Sequence, residues 1–320
     1  MKILIYGAGV QGSYLAHILY RSGNQVDVLA RNSRYDELYE QGIRLNHYLQ
    51  RKQTEDRITV ISALSREAYY DFIFVTAKFS DLTEIIEDVK VNISKNIVLV
   101  GNNIDTHKWE HDILQYDSSK KILFAFQLTG GKRMNGDINV LRFLKGRMLI
   151  GSLSNHQKEI NILKNSINPR LYSIKVESAM EEWLLTHAVN IVTMTALQEI
   201  HASNVNDLVK DKHGWKLVAK AQIDLYKMLE RSGYQIKPVL QKNLVRSPTL
   251  FTIGMSLLYR MPLLGMMQST VEETKELFDS FEMKRQQSSM ELKHFSELRS
   301  IFNNRVLPPT YMANASVEGR

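Results

Sequence analysis

Apolar residues follow two rhythms along this chain. In the first half they come as short runs that stop at glycines or polar turns. In the second half they recur every three or four residues over long stretches. The first run, KILIY (Lys2–Tyr6), predicts a buried strand ending at Gly7. From Val10 to Ser22 the spacing changes. Val10, Tyr14, Leu15, Ile18 and Leu19 fall on one helical face, and Gly23 is placed to close the helix. QVDVLA (Gln25–Ala30) alternates as a second strand does. FIFVTA (Phe72–Ala77), NIVLVGNN (Asn96–Asn103) and KILFAF (Lys121–Phe126) read as further strands. Ser80–Lys90 reads as a short amphipathic helix with Ser80 as N-cap and Glu84 near its start. Asp137–Leu153 reads as edge strands around a turn at Lys145 and Gly146.

After Pro169 the pattern predicts long helices. Met180–Ile200 carries Trp183, Leu184, Ala188, Ile191, Val192 and Ala196 at helical spacing. Trp215–Leu229 repeats this with Trp215, Val218, Ala219, Leu225 and Leu229, followed by Gly233. Ser269–Phe302 predicts one or two more helices. The expected fold class is therefore α/β: an N-terminal Rossmann-type doubly wound sheet plus a C-terminal all-helical domain. The expected boundaries are 1–167 and 168–305, with a tail at 306–320 that contains Pro308 and Pro309.

The turn after the first strand carries the chemistry. Gly7, Gly9 and Gly12 have G-x-G-x-x-G spacing inside a strand–helix–strand unit, the context that dinucleotide binding requires. The first glycine permits the tight turn. The second lets the backbone approach a pyrophosphate, and the third lets the helix pack against the sheet. The helix N-terminus then offers N–H groups to the anion. Gly7, Ala8, Gly9, Val10, Gln11 and Gly12 are the expected cofactor-binding turn. The second strand closes on Ala30, Arg31 and Asn32, with Arg34 nearby and no carboxylate among them. A guanidinium can hold a 2′-phosphate through charge-assisted hydrogen bonds, so NADP is expected over NAD. The alternative is that Arg31 is a solvated loop charge.

With these motifs the chain resembles the ketopantoate reductase (2-dehydropantoate 2-reductase) family. The resemblance rests on ILIYGAGVQGSYLAHIL, the LAR closing the second strand, GIRL (Gly42–Leu45), IFVTAK ending at Lys78, VLVGNN around Asn102 and LIGSL (Leu149–Leu153). It covers most of the first ~165 residues and thins in the helical half. The family reduces a 2-oxo acid to a 2-hydroxy acid with NADPH in a cleft between a Rossmann and a helical domain. The resemblance implies roles for Lys78 and Asn102 beside the cofactor and for Glu273, in VEETKELF, in the helical half. It also implies a homodimer through the helical domain.

One departure stands out. The family's catalytic lysine lies in a W-x-K-x-x-x-N pattern, and here the helix reads EEWLLTHAVN. Counted from Trp183 the lysine position is Leu185; counted back from Asn190 it is Thr186. No lysine occurs between Lys175 and Lys210. His187, one turn after Trp183, is the candidate substitute, since an imidazolium can protonate a developing alkoxide. The competing reading is a packed core histidine. Asn190 either orients a substrate carbonyl or satisfies a neighbouring backbone group. The expected catalytic set is thus His187, Asn102, Lys78, Asn190 and Glu273.

The expected activity is NADPH-dependent reduction of a small 2-oxo acid or related carbonyl compound. The rival is a non-catalytic NADP(H)-binding sensor on the same fold. His107 and His111 have i, i+4 spacing but lack the acid of an H-E-x-x-H pattern, so no metal site is expected. Met255, Met261, Met266 and Met267 read as core filling or a cleft wall. Arg246 and Arg260 could each hold a substrate carboxylate.

Composition adds exclusions. The chain has 320 residues, 44% of them hydrophobic and 23% charged, which is ordinary globular usage. It has no cysteine, which excludes disulfides, thiolate metal sites and a cysteine nucleophile, and fits a cytoplasmic location. No apolar run approaches ~20 residues, and the N-terminus lacks a signal-peptide pattern. The net charge of +7 comes from dispersed lysines and arginines, so neither a nucleic-acid nor a membrane partner is expected.

Overall fold

The protein's structure, a computed structural model, describes residues 1–78, 81–134, 136–142, 144–260 and 270–307. The chain divides into two units, Met1–Leu184 and Leu185–Arg320. The first begins with the anticipated strand–helix–strand: β1 (Lys2–Tyr6), α1 (Val10–Arg21) and β2 (Gln25–Leu29). Then come α2 (Ser33–Gln41), β3 (Ile43–His47), β4 (Lys52–Asp56), β5 (Thr59–Ile61), β6 (Phe72–Val75), α3 (Leu82–Val91), β7 (Asn96–Val100), α4 (Thr106–Tyr116) and β8 (Lys121–Gln127). Next are β9 (Gly130–Met134), β10 (Asp137–Leu141), β11 (Gly146–Gly151), α5 (Gln157–Asn165), β12 (Tyr172–Val176) and α6 (Met180–Ile200), within which the division falls.

The main sheet has the order β12-β11-β8-β7-β6-β1-β2-β5. From β5 to β8 all pairings are parallel, the arrangement of a doubly wound nucleotide-binding sheet. Side-chain alternation explains why β1 is apolar throughout. Ile3 and Ile5 join Tyr14, Leu15 and Ile18 of α1 in one core, while Leu4 and Tyr6 join Ile85, Ile86 and Trp109 in the other. A strand covered on both faces has no polar side to show.

Several details differ from the sequence expectation. β10 and β11 are not neighbours around the Lys145–Gly146 turn. β10 lies inside a second sheet of order β4-β3-β10-β9, whereas β11 runs antiparallel to β8 in the main sheet. That second sheet joins β3 to β10 in parallel across nearly a hundred residues of chain, a pairing that no local pattern reveals. The main sheet also continues past residue 167, because β12 pairs with β11. For α3 the N-cap position is Asp81; Ser80 lies outside the described residues. At the end of α1 the cap is Ser22, and Gly23 follows it at φ +87° in the left-handed region.

The second unit contains the rest of α6 and α7 (Val205–Lys210), α8 (Lys212–Arg231), α9 (Val239–Leu244), α10 (Pro248–Leu258), α11 (Val271–Ser288) and α12 (Lys293–Val306). α8 is its axis and packs against α10, α11 and α12. Trp215 on α8 is fully buried, donates from Nε1 to the Leu208 carbonyl and meets the rings of Phe251 and Tyr259. Phe278, Phe295 and Phe302 close the contact between α11 and α12. Met261, Met266, Met267, Pro308 and Pro309 lie outside the described residues.

Candidate functional site

The glycine turn has the geometry its spacing anticipates. Gly7 sits at φ +113°, which only glycine adopts without strain, and a Cβ there would lie 3.1 Å from the Thr76 carbonyl oxygen. A Cβ on Gly12 would overlap the Gly7 carbonyl oxygen and Thr76 Oγ1. Gly12 is therefore where α1 closes on the strand ends. Gly9 is different. It is the N-cap of α1, no side chain caps it, and no atom of the described residues lies within 4 Å of where its Cβ would be. Two glycines serve packing, and the third leaves an open face at a helix N-terminus, where backbone N–H groups favour an anion.

The surroundings brace this turn. Thr76 Oγ1 donates to the Gly7 carbonyl at 2.8 Å. Arg34 Nε donates to the Ala8 carbonyl at 3.1 Å, and its Nη2 reaches Ser13 Oγ at 3.3 Å. Arg34 is buried and also pairs with Glu37, so it acts as a strut under the turn. Gln11 Nε2 donates to the Thr129 carbonyl at 2.6 Å, and Gln11 Oε1 accepts from Gln127. Val10 packs beside Gly131. The sequence reading missed Thr76, Arg34 and Gln127 as supports, since each meets the turn only through the tertiary fold.

The strand ends gather the remaining residues of this unit. β2, β1, β6 and β7 are adjacent and parallel, so the residues just past their C-terminal ends lie along one edge of the sheet. Arg31 comes after β2, Gly7 after β1, Lys78 after β6 and Asn102 after β7. The order reverses between β1 and β6, the position where open α/β sheets bind ligands. Lys78 is exposed there. Asn102 is half-buried beside Gly101, whose φ of +135° turns the chain away from the strand.

Arg31 is not the solitary cation its sequence neighbours suggest. Its Nη1 donates to Glu84 at 2.9 Å and its Nη2 to the Tyr6 hydroxyl at 2.6 Å, with Asp88 Oδ2 at 3.8 Å. Tyr6 in turn donates to Asp88. Burial first, then the Asp88 hydrogen bond, pushes the Tyr6 hydroxyl up to about 12, so it stays a neutral donor. Any anion that approached Arg31 would have to displace Glu84. The β2 end lacks an acid in sequence, but α3 supplies two in space.

In the helical unit the expected residues separate. Burial pushes the His187 imidazole down to about 4, which leaves the ring neutral near pH 7. Asn190 is tied within its own unit. Its Nδ2 donates to the Thr186 carbonyl (3.1 Å) and to Gln241 (2.7 Å), and its Oδ1 accepts from the Tyr226 hydroxyl (2.9 Å). Glu273 stands at the third position of α11, where Thr270 caps the helix by accepting from the Glu273 N–H. That is the T-x-x-E arrangement of a helix start. Leu185 and Thr186, the two positions matched to the family lysine, are both buried. Thr186 Oγ1 accepts from the Lys237 backbone N–H at 3.0 Å, so a lysine from the segment after α8 stands beside that position. Neither helical periodicity nor motif spacing could have paired them. His107 on α4 meets Glu181 at 3.1 Å, and no cluster of metal-ligating side chains occurs among the described residues.

Residues 3–155 match the family described as ketopantoate reductase PanE/ApbA. The uncharacterized oxidoreductase YkpB of Bacillus subtilis is 30% identical over 100 residues, which cover 31% of this chain and about a third (32%) of that protein. Among solved structures, 2-dehydropantoate 2-reductase from Geobacter metallireducens superposes with a TM-score of 0.76 at 16% identity, covering 95% of this chain and 99% of the other. D-mandelate dehydrogenase, solved with NADH and anilino(oxo)acetate, gives a TM-score of 0.75 at 16% identity, with 95% and 98% covered. These likenesses establish the fold: an N-terminal parallel sheet of Rossmann type followed by a helical region. No described helix is long and apolar enough to cross a membrane. The match to the ketopantoate reductase family model spans residues 3–155, which hold the glycine turn and the strand ends beside it.

Proposed function

We propose that the protein is a nicotinamide-dependent oxidoreductase that uses NADP(H) to interconvert a small 2-oxo acid, or a related carbonyl compound, and its hydroxy product. The observation that carries this reading is the contrast within the glycine turn. Gly7 and Gly12 are closed in by the fold, while Gly9 faces open space at an uncapped helix N-terminus. A turn kept only for packing has no use for a glycine at position 9. The family match and the mandelate dehydrogenase and 2-dehydropantoate 2-reductase neighbours support the same class of chemistry.

In this reading Gly9 and the first N–H groups of α1 hold the pyrophosphate, and Ala8, Val10 and Gln11 shape the turn around it. Arg31 takes the 2′-phosphate once Glu84 gives way. Bound nicotinamide supplies or accepts the hydride. Lys78 and Asn102, at the ends of β6 and β7, hold polar groups of cofactor or substrate. His187 is neutral at working pH, so its part is an N–H hydrogen bond to a developing alkoxide and not delivery of a proton from imidazolium. Asn190 positions the helix that carries His187, and Glu273 shapes the start of α11.

The test is NADPH oxidation across a panel of 2-oxo acids, with NADPH binding measured on the same preparation. Saturable turnover with at least one acid supports the enzyme. Tight NADPH binding with no turnover on any acid favours the second reading, a non-catalytic NADP(H)-binding protein. That reading draws on the lysine-free α6 and the fully engaged Asn190 amide. No binding of either nicotinamide cofactor would overturn both.

A further inference from the structure

The helical unit holds a cavity of 380 Å³ between α8 and α10, and all its described lining residues belong to that unit. The size falls within the roughly 300–1,000 Å³ of small-ligand clefts. Two lysines one turn apart on α8, Lys212 and Lys216, line it, and Arg260 lines it just beyond the end of α10. Among the described residues no carboxylate is part of its wall. Asp211, the acid next to Lys212, is engaged elsewhere, accepting from the Gly214 N–H at 2.7 Å and pairing with His201 at 2.8 Å. Among the described residues none of the three cations forms an ion pair.

The wall between these charges is apolar. Ile253 and Leu257, one turn apart on α10, line the cavity with 61% and 65% of their surface exposed. Exposed aliphatic side chains usually sit singly among polar neighbours; here two lie in a concave surface ringed by cations. Between them in sequence is Ser256. The residue lines the cavity, and its Oγ is buried with no hydrogen-bond partner among the described residues. Thr252, by contrast, satisfies its hydroxyl by donating to the Pro248 carbonyl at 2.7 Å. A buried hydroxyl left unsatisfied beside a cationic cleft is an open donor for an anion.

We propose that this cavity binds a small amphipathic carboxylate. The carboxylate lies among Lys212, Lys216 and Arg260 and accepts from Ser256, and an aliphatic or aromatic body covers Ile253 and Leu257. Inorganic phosphate satisfies the cations but leaves the apolar wall wet. A neutral alkyl chain does the reverse and leaves Ser256 and the three charges unanswered. The site uses none of the residues of the glycine turn and does not depend on the nicotinamide reading.

Calorimetric titration of the full-length protein tests it, with sodium octanoate as probe and octan-1-ol and inorganic phosphate as controls. Octanoate binds saturably at one site, and both controls bind at least ~10-fold more weakly, the factor expected for losing either half of the contact. Lys216→Glu combined with Arg260→Glu weakens octanoate by ~10-fold or more with an unchanged melting temperature, since both side chains are exposed. Ser256→Ala weakens it by about 3-fold, as loss of one hydrogen bond should. Absence of saturable octanoate binding overturns the proposal. So does equal affinity in the charge-reversed variant, equal affinity for octan-1-ol or phosphate, or binding to phosphatidylglycerol vesicles without binding to free octanoate.

Discussion

Replacing Gly9 and Gly12 separately by alanine separates ligand binding from packing within one turn. At Gly12 the new methyl overlaps the Gly7 carbonyl oxygen and Thr76 Oγ1, neither of them the end of a long, flexible side chain. Overpacking of this kind costs about 1–3 kcal/mol, partly offset by ~1 kcal/mol of helix propensity. With rigid backbone as the obstacle, a net loss near 2 kcal/mol lowers the melting temperature of a unit this size by ~4–8 °C. At Gly9 the same methyl meets nothing within 4 Å, and φ is −73°, which alanine adopts freely. Alanine is a poorer N-cap by roughly 0.5–1 kcal/mol, and the reduced freedom of the unfolded chain returns about the same amount. The melting temperature of Gly9→Ala then stays within ~2 °C of the parent. In the proposed binding mode, however, its methyl stands where a pyrophosphate oxygen would approach the backbone N–H groups. Losing one or two charge-assisted hydrogen bonds at about 1.5–3 kcal/mol weakens NADPH binding by ~10–100-fold. Differential scanning fluorimetry and an NADPH fluorescence titration on both variants give the four numbers needed. Parent-like NADPH affinity in Gly9→Ala refutes the pyrophosphate assignment. Parent-like stability in Gly12→Ala refutes the packing argument.

Further outcomes rest on the same contacts. Arg31→Ala removes the NADPH preference over NADH, and Glu84→Gln strengthens NADPH binding by ~2–5-fold, the worth of an exposed ion pair that the 2′-phosphate no longer has to displace; equal Kd values for both cofactors in the parent protein sink this assignment. His187→Ala lowers turnover by on the order of 10² with little change in NADPH affinity, and His187→Gln, which keeps an N–H donor, recovers part of the loss. Because burial holds that imidazole near 4, the rate shows no His187-dependent limb between pH 6 and 7; a limb that disappears in His187→Gln contradicts the neutral-donor role. His47 is held down to about 4, by burial first and then by the charges of His17, Arg142 and Lys52. The unfolded chain, with histidine near 6.5, then binds more protons than the folded one between these values, so stability is complete above about pH 6.5 and falls toward pH 4. Melting curves across that window show the decline, and it is shallower in His47→Gln; an unchanged slope in that variant shows that His47 is not the source.

What the sequence determined by itself is the framework near the glycine turn. β1, α1 and β2 are legible because each is stabilised by neighbours close in the chain. Strand alternation, helical spacing and three glycines are local signals that fix two crossing layers and the turn between them. The long helices α6 and α8 are legible for the same reason. Contacts between distant segments were decided only by the folded chain. β3 pairs with β10, and β11 leaves its sequence neighbour to join β8, because hydrogen-bonding edges are filled by whichever strand the topology brings there. The same holds at the site. Arg31 and Arg34 look alike in sequence, yet α3 brings Glu84 and Asp88 to the first, while the Ala8 carbonyl and Ser13 bury the second. His187 has the residue type of a proton donor, but its burial holds the ring neutral near pH 7. Residue type and spacing select the chemistry that is available. Desolvation and the charges that tertiary contacts bring within a few ångströms select the protonation state and the partner, and neither quantity is written in local sequence.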